Sequence, residues 1–174
     1  GKSQILVVET DEYQNKFTKY TPHHLVVTNI DWDHPDFFPT PQEYEMVFQA
    51  FMHRIPVDGI LVVHGDDPVI AQIVPMLHRG VTTFGRSEKS QFHLLKSDWK
   101  DGRQHFSFTN DGTAHEWTIR LPGEYNTLNA LAATAMARAL GVPWEKIEKA
   151  VADFTGVARR FEHVGEFNGA LLID

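Results

Sequence analysis

Continuous apolar runs and apolar residues at helical spacing follow one another along the first half of this chain. Short apolar runs occur at QILVVE (4–9), HLVVTNI (24–30), GILVVH (59–64) and VTTFG (81–85), and such runs are typical of strands buried on both faces. Between the later runs, apolar residues recur every three or four positions, which predicts helices. The order strand, helix, strand, helix, strand predicts a parallel sheet with crossover helices.

The two helices of this half have recognisable start signals. Thr40, Pro41 and Glu43 combine a capping hydroxyl, a proline in the first turn and a partner for a capping box. Asp67 and Pro68 give a second start of the same kind, and a later proline is expected to distort that helix. The first helix is expected to bury a stripe made of Tyr44, Val47, Phe48 and Phe51.

The pattern changes after residue 90. QFHLLKSDW, RQHFSFTN and HEWTIRL alternate in part, which predicts an antiparallel meander over 91–121 as a small β subdomain. Helical spacing then returns in an alanine-rich segment, with Asn126 as the expected cap and Gly141 as the expected stop. A second helix and a final strand pair around Asn168 and Gly169 complete the chain. The predicted fold class is α/β: a mostly parallel sheet flanked by helices, with a small antiparallel β subdomain.

Composition and charge narrow the possible functions. The chain of 174 residues has the length of one domain, and 42% hydrophobic with 22% charged residues is ordinary for a globular protein. A formal net charge of −7 without a Lys/Arg cluster argues against nucleic-acid binding, while a small anionic ligand stays possible. No apolar run approaches a membrane span, and there is no cysteine. We therefore expect a cytoplasmic protein with no membrane partner.

The two ends of the sequence resemble domain borders. The chain opens almost directly on ILVVE and closes on ALLID, which is typical of a domain taken from a longer protein. The opening GKS is similar to the end of a phosphate-binding loop, but the earlier glycine and the following helix of that motif are missing here.

The segment NIDWDHPDFF (29–38) concentrates acidic residues and a histidine directly after an apolar run. In an open parallel sheet, ligands bind beyond the carboxyl ends of the strands, so His34 could lie near Glu9 and form part of a cation site. Oxygen ligands favour Mg²⁺, whereas a histidine ligand favours a transition metal. The alternative is that Asp31, Asp33 and Asp36 only cap turns and that the histidine is solvated.

Two further pairs of residues are candidates for ligand contacts. Asn126 and Asn129 lie one turn apart at the start of the alanine-rich helix, where they could bind a base or only cap the helix. Arg159 and Arg160 could bind a phosphate with their guanidinium groups, or they could be solvated. The remaining histidines lack metal-ligand spacing and are interpreted as surface residues: His23, His24, His53, His78, His93, His105 and His115.

Four motifs in order resemble one known family. VVETDEY, VVTNIDWDHPDFF, LPGEYNTLNALAATAMARALGV and GVARRFEHVGEF are similar to the central ATP-binding domain of the Mur ligases, and the resemblance covers nearly the whole chain. The family makes the amide bonds of peptidoglycan precursors. The motif that contains aspartates and a histidine, and the double arginine, are most similar to the corresponding motifs of the branch that joins L-alanine to UDP-N-acetylmuramate. The second most similar branch attaches a recycled tripeptide to the same sugar nucleotide.

The resemblance implies an ATP- and Mg²⁺-dependent ligase. It implies that Glu9 and His34 hold magnesium, that Asn126 and Asn129 lie on the adenine side, and that Arg160 contacts the terminal phosphate. A carboxylate would first be phosphorylated by ATP and then attacked by an amine. A non-catalytic nucleotide- or metal-binding module with the same sheet is the alternative.

The sequence departs from the family pattern in three ways. Tyr125 stands where a histidine is usual, so the role of that ring is in doubt. No lysine occurs between Gln42 and Arg54, so the carbamylated lysine of several sister ligases is missing, which favours the alanine-adding branch. The phosphate loop and a sugar-nucleotide domain would precede Gly1. A ribose-binding aspartate and a further domain would follow Asp174.

Overall fold

A six-stranded sheet is the centre of the computed structural model, which describes residues 5–157 and 163–173. The strands follow one another across the sheet in the order β1 to β6. Their bounds are β1 Leu25–Val27, β2 Leu61–His64, β3 Thr82–Gly85, β4 Phe92–Lys100, β5 Arg103–Asn110 and β6 Thr113–Ile119. The helices are α1 Pro41–His53, α2 Pro68–Ile73, α3 Glu124–Ala139 and α4 Trp144–Asp153.

The sheet is parallel in its first half and antiparallel in its second. β1 pairs with β2, β2 with β3 and β3 with β4 in parallel, and the register places Phe84 opposite Phe92. From β4 onwards the pairs are antiparallel. The predicted meander is therefore present, and it extends the parallel sheet directly through β4. Its two tight turns use positive backbone φ angles, as hairpins of right-handed twist require, at Asp101, Gly102, Asp111 and Gly112.

Helices cover both faces of the sheet and give three layers. Along β2, Leu61 and Val63 belong to the core under α1 and α2, whereas Val62 belongs to the core under α3 and α4. All three side chains are almost fully buried, as expected for a central parallel strand. The alanine-rich face of α3 lies against the sheet, with Leu131 and Ala135 among its buried residues. The predicted α/β class is confirmed.

The helix start signals are also confirmed. The Thr40 hydroxyl accepts a hydrogen bond from the Glu43 N–H at 3.3 Å, and Pro41 is the first residue of α1. Asp67 caps α2. After Ile73 the α-helix changes into a 3-10 helix at Val74–Leu77, because Pro75 lacks the N–H that a continued α-helix needs.

Two predictions about element bounds are wrong. No strand forms at 5–9, and Leu6 and Val7 are exposed, because no strand in the described ranges pairs with this apolar run. A 3-10 segment, Tyr13–Lys19, follows instead. Asn126 does not cap α3, since the helix begins at Glu124 and its N-cap is Gly123, which has φ of 94°.

A separate hairpin of β7, His163–Phe167, and β8, Ala170–Ile173, ends the described chain. Asn168 and Gly169 form its turn with positive φ angles, as the sequence indicates. No helix within the described ranges has the length and apolar character to cross a bilayer.

Candidate functional site

The loop that follows β1 is folded into a compact turn around His34. This residue has φ of 55°, in the left-handed region that non-glycine residues seldom adopt. Its carbonyl accepts hydrogen bonds from the N–H groups of Phe37 and Phe38, each at 2.8 Å. Its own N–H donates to Asp33 at 2.6 Å. The Trp32 indole N–H donates to the Phe38 carbonyl at 3.0 Å. These bonds fix the direction in which the imidazole leaves the backbone.

Carboxylates surround the His34 imidazole. Its Nε2 lies 3.7 Å from Glu12 Oε1 and 3.8 Å from Asp33 Oδ2. The ring packs against Tyr13, with centroids 4.4 Å apart, and the Tyr13 hydroxyl donates to Asp36 at 3.3 Å. The 3-10 segment and the residue before it therefore contribute side chains to an acidic cluster around this loop.

Tyr44 of α1 lies close to this loop, and its ring is buried. Burial raises the pKa of its hydroxyl far above the ordinary tyrosine value, and a hydrogen bond to Glu12 and the charges of Asp33 and Asp31 raise it further. A protonated phenol can donate a hydrogen bond to the Glu12 carboxylate.

The carboxylate of Asp67 connects the loop after β1 to the start of α2. Its Oδ1 accepts the N–H groups of Val69 and Ile70, both at 2.9 Å, and its Oδ2 accepts the N–H of Ile30 at 2.9 Å. The side chain is almost fully buried, so each of these donors depends on it for its hydrogen bond. Asp67 thus holds the beginning of the His34 loop at the carboxyl end of the sheet.

The neighbouring residue, Asp66, makes the equivalent connection to the loop after β3. Its carboxylate accepts the N–H of Arg86 and, at 2.9 Å, the N–H of Ser87. His64 Nε2 lies 3.6 Å from the same carboxylate. A Cβ on Gly85 would stand only 2.5 Å from Asp66 Oδ2, so the close approach requires glycine at this position.

Arg86 continues the connection to the start of α3. Its Nε donates to Glu124 Oε1 at 3.0 Å, its Nη2 donates to Glu124 Oε2, and its Nη1 donates to the Leu95 carbonyl at 2.9 Å. The hydrogen bond with the guanidinium lowers the pKa of Glu124, and the same bond raises the pKa of Arg86. This two-pronged pair fixes the N-terminus of α3 beside the carboxyl end of β3.

The two predicted asparagines lie on the first turns of α3. The Asn126 Nδ2 donates to the Pro122 carbonyl at 2.7 Å, so its side chain braces the turn before the helix. Asn129, one turn later, is exposed and makes no side-chain hydrogen bond within the described ranges. The start of α3 is connected to the His34 loop in steps, from Glu124 to Arg86, from Arg86 to Asp66, and from the neighbouring Asp67 to Ile30.

A cavity of about 480 Å³ opens between the loops that follow β1 and β2. Its wall combines aromatic rings, an imidazole and carboxylates, a mixture suited to a polar ligand with an apolar part. The residues that give the wall this character are Asp31, Trp32, Tyr44, His64, Asp66 and Asp67.

The remaining predicted site residues are Glu9, Arg159 and Arg160. Glu9 is exposed, and it is not among the carboxylates that the structure gives as neighbours of His34. The described residues contain no group of three or more His, Asp or Glu side chains arranged to hold a metal ion by themselves. Arg160 and Arg159 lie outside the described residues.

Three of the histidines interpreted as surface residues are partly buried: His24, His93 and His115. His24 Nδ1 accepts the N–H of Ile60 at 3.0 Å, and burial followed by the charge of His23 lowers its pKa. His115 is stacked between Phe108 and Trp144, with centroids 4.8 Å and 4.2 Å away. Neither His24 nor His115 lies near the carboxyl ends of the parallel strands, and neither has a second ligand residue at the spacing of a metal site.

Comparison with known proteins agrees with this arrangement of sheet and loops. The sequence profile described as the Mur ligase middle domain matches residues 1–137. The chain belongs to the Mur ligase middle domain family. The UDP-N-acetylmuramate–L-alanine ligase of Syntrophotalea carbinolica is 34% identical over 175 residues, covering 100% of this chain and 38% of that protein. The chain thus spans well under half the length of such relatives.

Solved structures of Mur ligases have the same fold as this middle domain. The UDP-N-acetylmuramate–alanine ligase MurC of Thermotoga maritima superposes with a TM-score of 0.75 at 25% identity, covering 91% of this chain and 35% of that one. The MurF ligase of Thermotoga maritima in complex with ADP gives a TM-score of 0.74 at 23% identity, covering 88% of this chain and 35% of that one. The second likeness establishes the fold alone.

Sequence reasoning missed several residues that build the edge of this Mur ligase middle domain. The motif GDDP identified Asp67 as a helix cap, but nothing in it indicated the second bond, to Ile30. The contact between Arg86 and Glu124 joins residues that are 38 positions apart in sequence, and no local sequence pattern predicts such a contact. The buried Gln104, whose Oε1 accepts the Gly123 N–H at 3.0 Å, had no sequence signal either.

Proposed function

We propose that this chain is the ATP-binding domain of a cytoplasmic ligase that joins L-alanine to UDP-N-acetylmuramate in peptidoglycan synthesis. The observation that carries the proposal is the meeting of the His34 loop and the N-terminus of α3 on one edge of the sheet. The two parts are connected in steps: Asp67 bonds to Ile30 of the loop after β1, the neighbouring Asp66 bonds to Arg86, and Arg86 bonds to Glu124 of α3. Open α/β sheets bind nucleotides at this position, beyond the carboxyl ends of their parallel strands. The name of the Syntrophotalea carbinolica relative, aligned over this whole chain, supports the substrate pair.

The roles proposed for single residues follow the family motifs. Asn126 and Asn129 contact the adenine, and Arg160 contacts the terminal phosphate. The start of α3 suits the first of these roles because Asn129 is exposed and both amides lie one turn apart on one side of the helix. An arginine suits the second role because its planar fork matches phosphate oxygens.

Magnesium would be held by Glu9 and His34. Mg²⁺ usually binds one or two carboxylates, several waters and the phosphates of its nucleotide, so a complete protein cage is not needed. The carboxylates of Glu12 and Asp33 within 4 Å of the His34 imidazole fit a cation at this loop. When bound, the ion supplies charge neutralisation for the transferring phosphoryl group.

The proposed reaction has two steps. The carboxylate of UDP-N-acetylmuramate attacks the γ-phosphorus of ATP, which forms an acyl phosphate and releases ADP. The amine of L-alanine then attacks the acyl carbon and loses a proton, the amide bond forms, and inorganic phosphate leaves. This chain contributes the orientation of the nucleotide and a charged environment for its phosphates. A sugar-nucleotide domain with the phosphate loop and a further domain complete the proposed enzyme.

The decisive experiment measures phosphate release by the parent protein with substrates omitted one at a time. We expect release only when ATP, Mg²⁺, UDP-N-acetylmuramate and L-alanine are all present, and a product whose mass equals the two substrates minus water. The tripeptide L-alanyl-γ-D-glutamyl-diaminopimelate, offered in place of L-alanine, tests the tripeptide branch.

Two results would contradict the proposal. Faster turnover with the tripeptide than with L-alanine would assign the protein to the recycling branch. Nucleotide binding without phosphate release under any combination of substrates would indicate a non-catalytic nucleotide-binding module.

A further inference from the structure

A buried polar network connects the antiparallel half of the sheet to the start of α3. Gln104 Nε2 donates to Ser97 Oγ at 2.8 Å, and Gln104 Oε1 accepts the Gly123 N–H at 3.0 Å. Ser97 Oγ is 2.9 Å from Thr127 Oγ1. We call these four residues the Gln104 network. Gln104 is only 4% exposed and Thr127 is fully buried.

Gln104 occupies a position where the strand pattern would otherwise bury an apolar side chain. It shares the inward face of β5 with Phe106 and Phe108, which belong to the hydrophobic core. A buried amide without hydrogen bonds is costly, and an apolar residue would satisfy the packing without that requirement. The glutamine is therefore suited to the two bonds that it makes, and one of them goes to the N-cap of α3.

The bond to Gly123 fixes the turn from which α3 starts. Gly123 has no side chain with which to cap the helix, and its φ of 94° is a conformation that glycine adopts without steric cost. Gln104 holds the N–H of Gly123 from the sheet, and Asn126 Nδ2 holds the carbonyl of Pro122 from the helix. The two side chains thus secure adjacent backbone groups of one turn.

This arrangement determines which end of the Asn126 amide is available to a ligand. Its Nδ2 is engaged by the Pro122 carbonyl, while its Oδ1 makes no hydrogen bond within the described ranges. A free carbonyl oxygen accepts from an amino group and repels another carbonyl oxygen. Adenine carries an amino group at the ring position where guanine carries a carbonyl.

We propose that Gln104 is a positioning residue of the nucleotide site: by fixing the Pro122–Gly123 turn, it orients the Asn126 amide so that Oδ1 accepts from the amino group of adenine. The proposal rests on the nucleotide-binding function proposed above. Gln104 itself does not touch the nucleotide. Its loss weakens ATP binding and reduces the preference for ATP over GTP without removing a group from the reaction.

The test uses the full-length parent, with ATP and GTP as the probes. Gln104→Met keeps the volume of the side chain and removes both hydrogen bonds. We expect the dissociation constant of ATP to rise about tenfold. A tenfold change corresponds to about 1.4 kcal/mol, which is the size of one lost hydrogen bond. The ATP-to-GTP preference should fall, while kcat at saturating ATP stays within about a factor of two.

A matched pair of threonines separates positioning from general stability. Thr127→Val removes the hydroxyl that joins α3 to Ser97, whereas Thr134→Val removes a buried hydroxyl on the same helix that only donates to the Ala130 carbonyl, at 2.7 Å. Both side chains are almost fully buried. We expect Thr127→Val to weaken ATP binding about threefold and Thr134→Val to leave it unchanged.

The outcomes separate this proposal from the one on which it rests. A folded Gln104→Met enzyme with unchanged ATP affinity and unchanged base preference would overturn the positioning role alone. If Gln104→Met does not fold, equal ATP affinity of the Thr127→Val and Thr134→Val enzymes would overturn it. Failure of the unaltered parent to bind ATP at all would overturn both proposals.

Discussion

The Asp67 carboxylate accepts the backbone N–H of Ile30 across 37 positions of sequence, at 2.9 Å, while it also caps α2. One buried side chain thereby joins the loop after β1 to the loop after β2. The next residue, Asp66, joins the loop after β2 to the loop after β3. The candidate site is therefore built on side chains that hold neighbouring loops together by their backbone groups.

Removing the Asp67 carboxylate should destabilise the fold. Asp67→Ala leaves a helix without its cap and three N–H groups without their acceptor, for which we expect a loss of about 2–3 kcal/mol in the free energy of unfolding. Urea denaturation of the chain measures this value. The matched control is Asp98→Ala, which removes an exposed carboxylate paired with Lys96 and should change stability by less than about 0.5 kcal/mol. Equal losses for the two variants would contradict the prediction.

Arg86 and Glu124 should be energetically coupled. A double-mutant cycle with Arg86→Met and Glu124→Gln is expected to give a coupling free energy of about 1 kcal/mol. This value is at the upper end of those measured for partly exposed ion pairs, because the two side chains make a two-pronged contact. Because the pKa of Glu124 is lowered in the folded state, this stabilisation is present above the carboxylate's ordinary pKa. It is lost as the pH falls through the lowered pKa.

The exposed pair of Lys149 and Asp153 on α4 is the control for this cycle. It has a single contact at 2.7 Å, and solvent screens it fully, so its coupling should be smaller and should vanish in 1 M salt. A coupling between Arg86 and Glu124 no larger than that of the control would mean that the pair does not fix the start of α3.

His115 should make the fold sensitive to acid. Burial lowers the pKa of His115, the charge of Glu148 raises it and the charge of Arg138 lowers it. Its Nε2 is buried and has no hydrogen-bond partner among the residues that the structure describes. A lowered pKa means that stability is greatest above the ordinary histidine pKa, near 6.5, and declines as the pH falls towards the lowered value. His115→Phe preserves the stacking on Phe108 and Trp144 and should reduce this decline.

Urea denaturation at pH 7.0 and pH 5.5 tests the prediction. The variant should lose less stability between the two pH values than the unaltered chain does, although the lowered pKa of His24 keeps part of the sensitivity. His105→Phe, at an exposed position of β5, is the control and should leave the pH dependence unchanged. An unchanged decline in His115→Phe would assign the acid sensitivity to other groups.

Arg160 is expected to act in phosphoryl transfer in the parent enzyme. If its guanidinium neutralises charge on the transferring phosphoryl group, Arg160→Ala should lower kcat a hundredfold or more, roughly 3 kcal/mol, with little change in the KM for L-alanine. Arg160→Lys should not restore full activity, because a single ammonium lacks the two-pronged geometry. Arg159→Ala is the matched control, with a much smaller expected effect. Phosphate release by folded variants measures these values, and near-normal kcat in Arg160→Ala would refute the role.

The sequence by itself determined the elements whose signals are local. The capping threonine before Pro41 predicted α1 and the continuous apolar run at 59–64 predicted β2, because both signals act within a few residues of one another. The stop of α3 at Gly141 was predicted because glycine readily adopts a positive φ angle, which this position has in the structure. The motif around His34 likewise indicated an acidic loop at the carboxyl end of a strand.

The tertiary structure decided whatever depends on partners distant in sequence. The apolar run at 5–9 is no strand here, because a strand exists only where a neighbour accepts and donates its backbone hydrogen bonds. Gly123, the N-cap of α3, donates its N–H to Gln104, nineteen positions earlier, and the loops are joined by the bonds of Asp66, Asp67 and Arg86. Local propensity does not specify such long-range pairs, since they form only after the sheet has brought distant segments together.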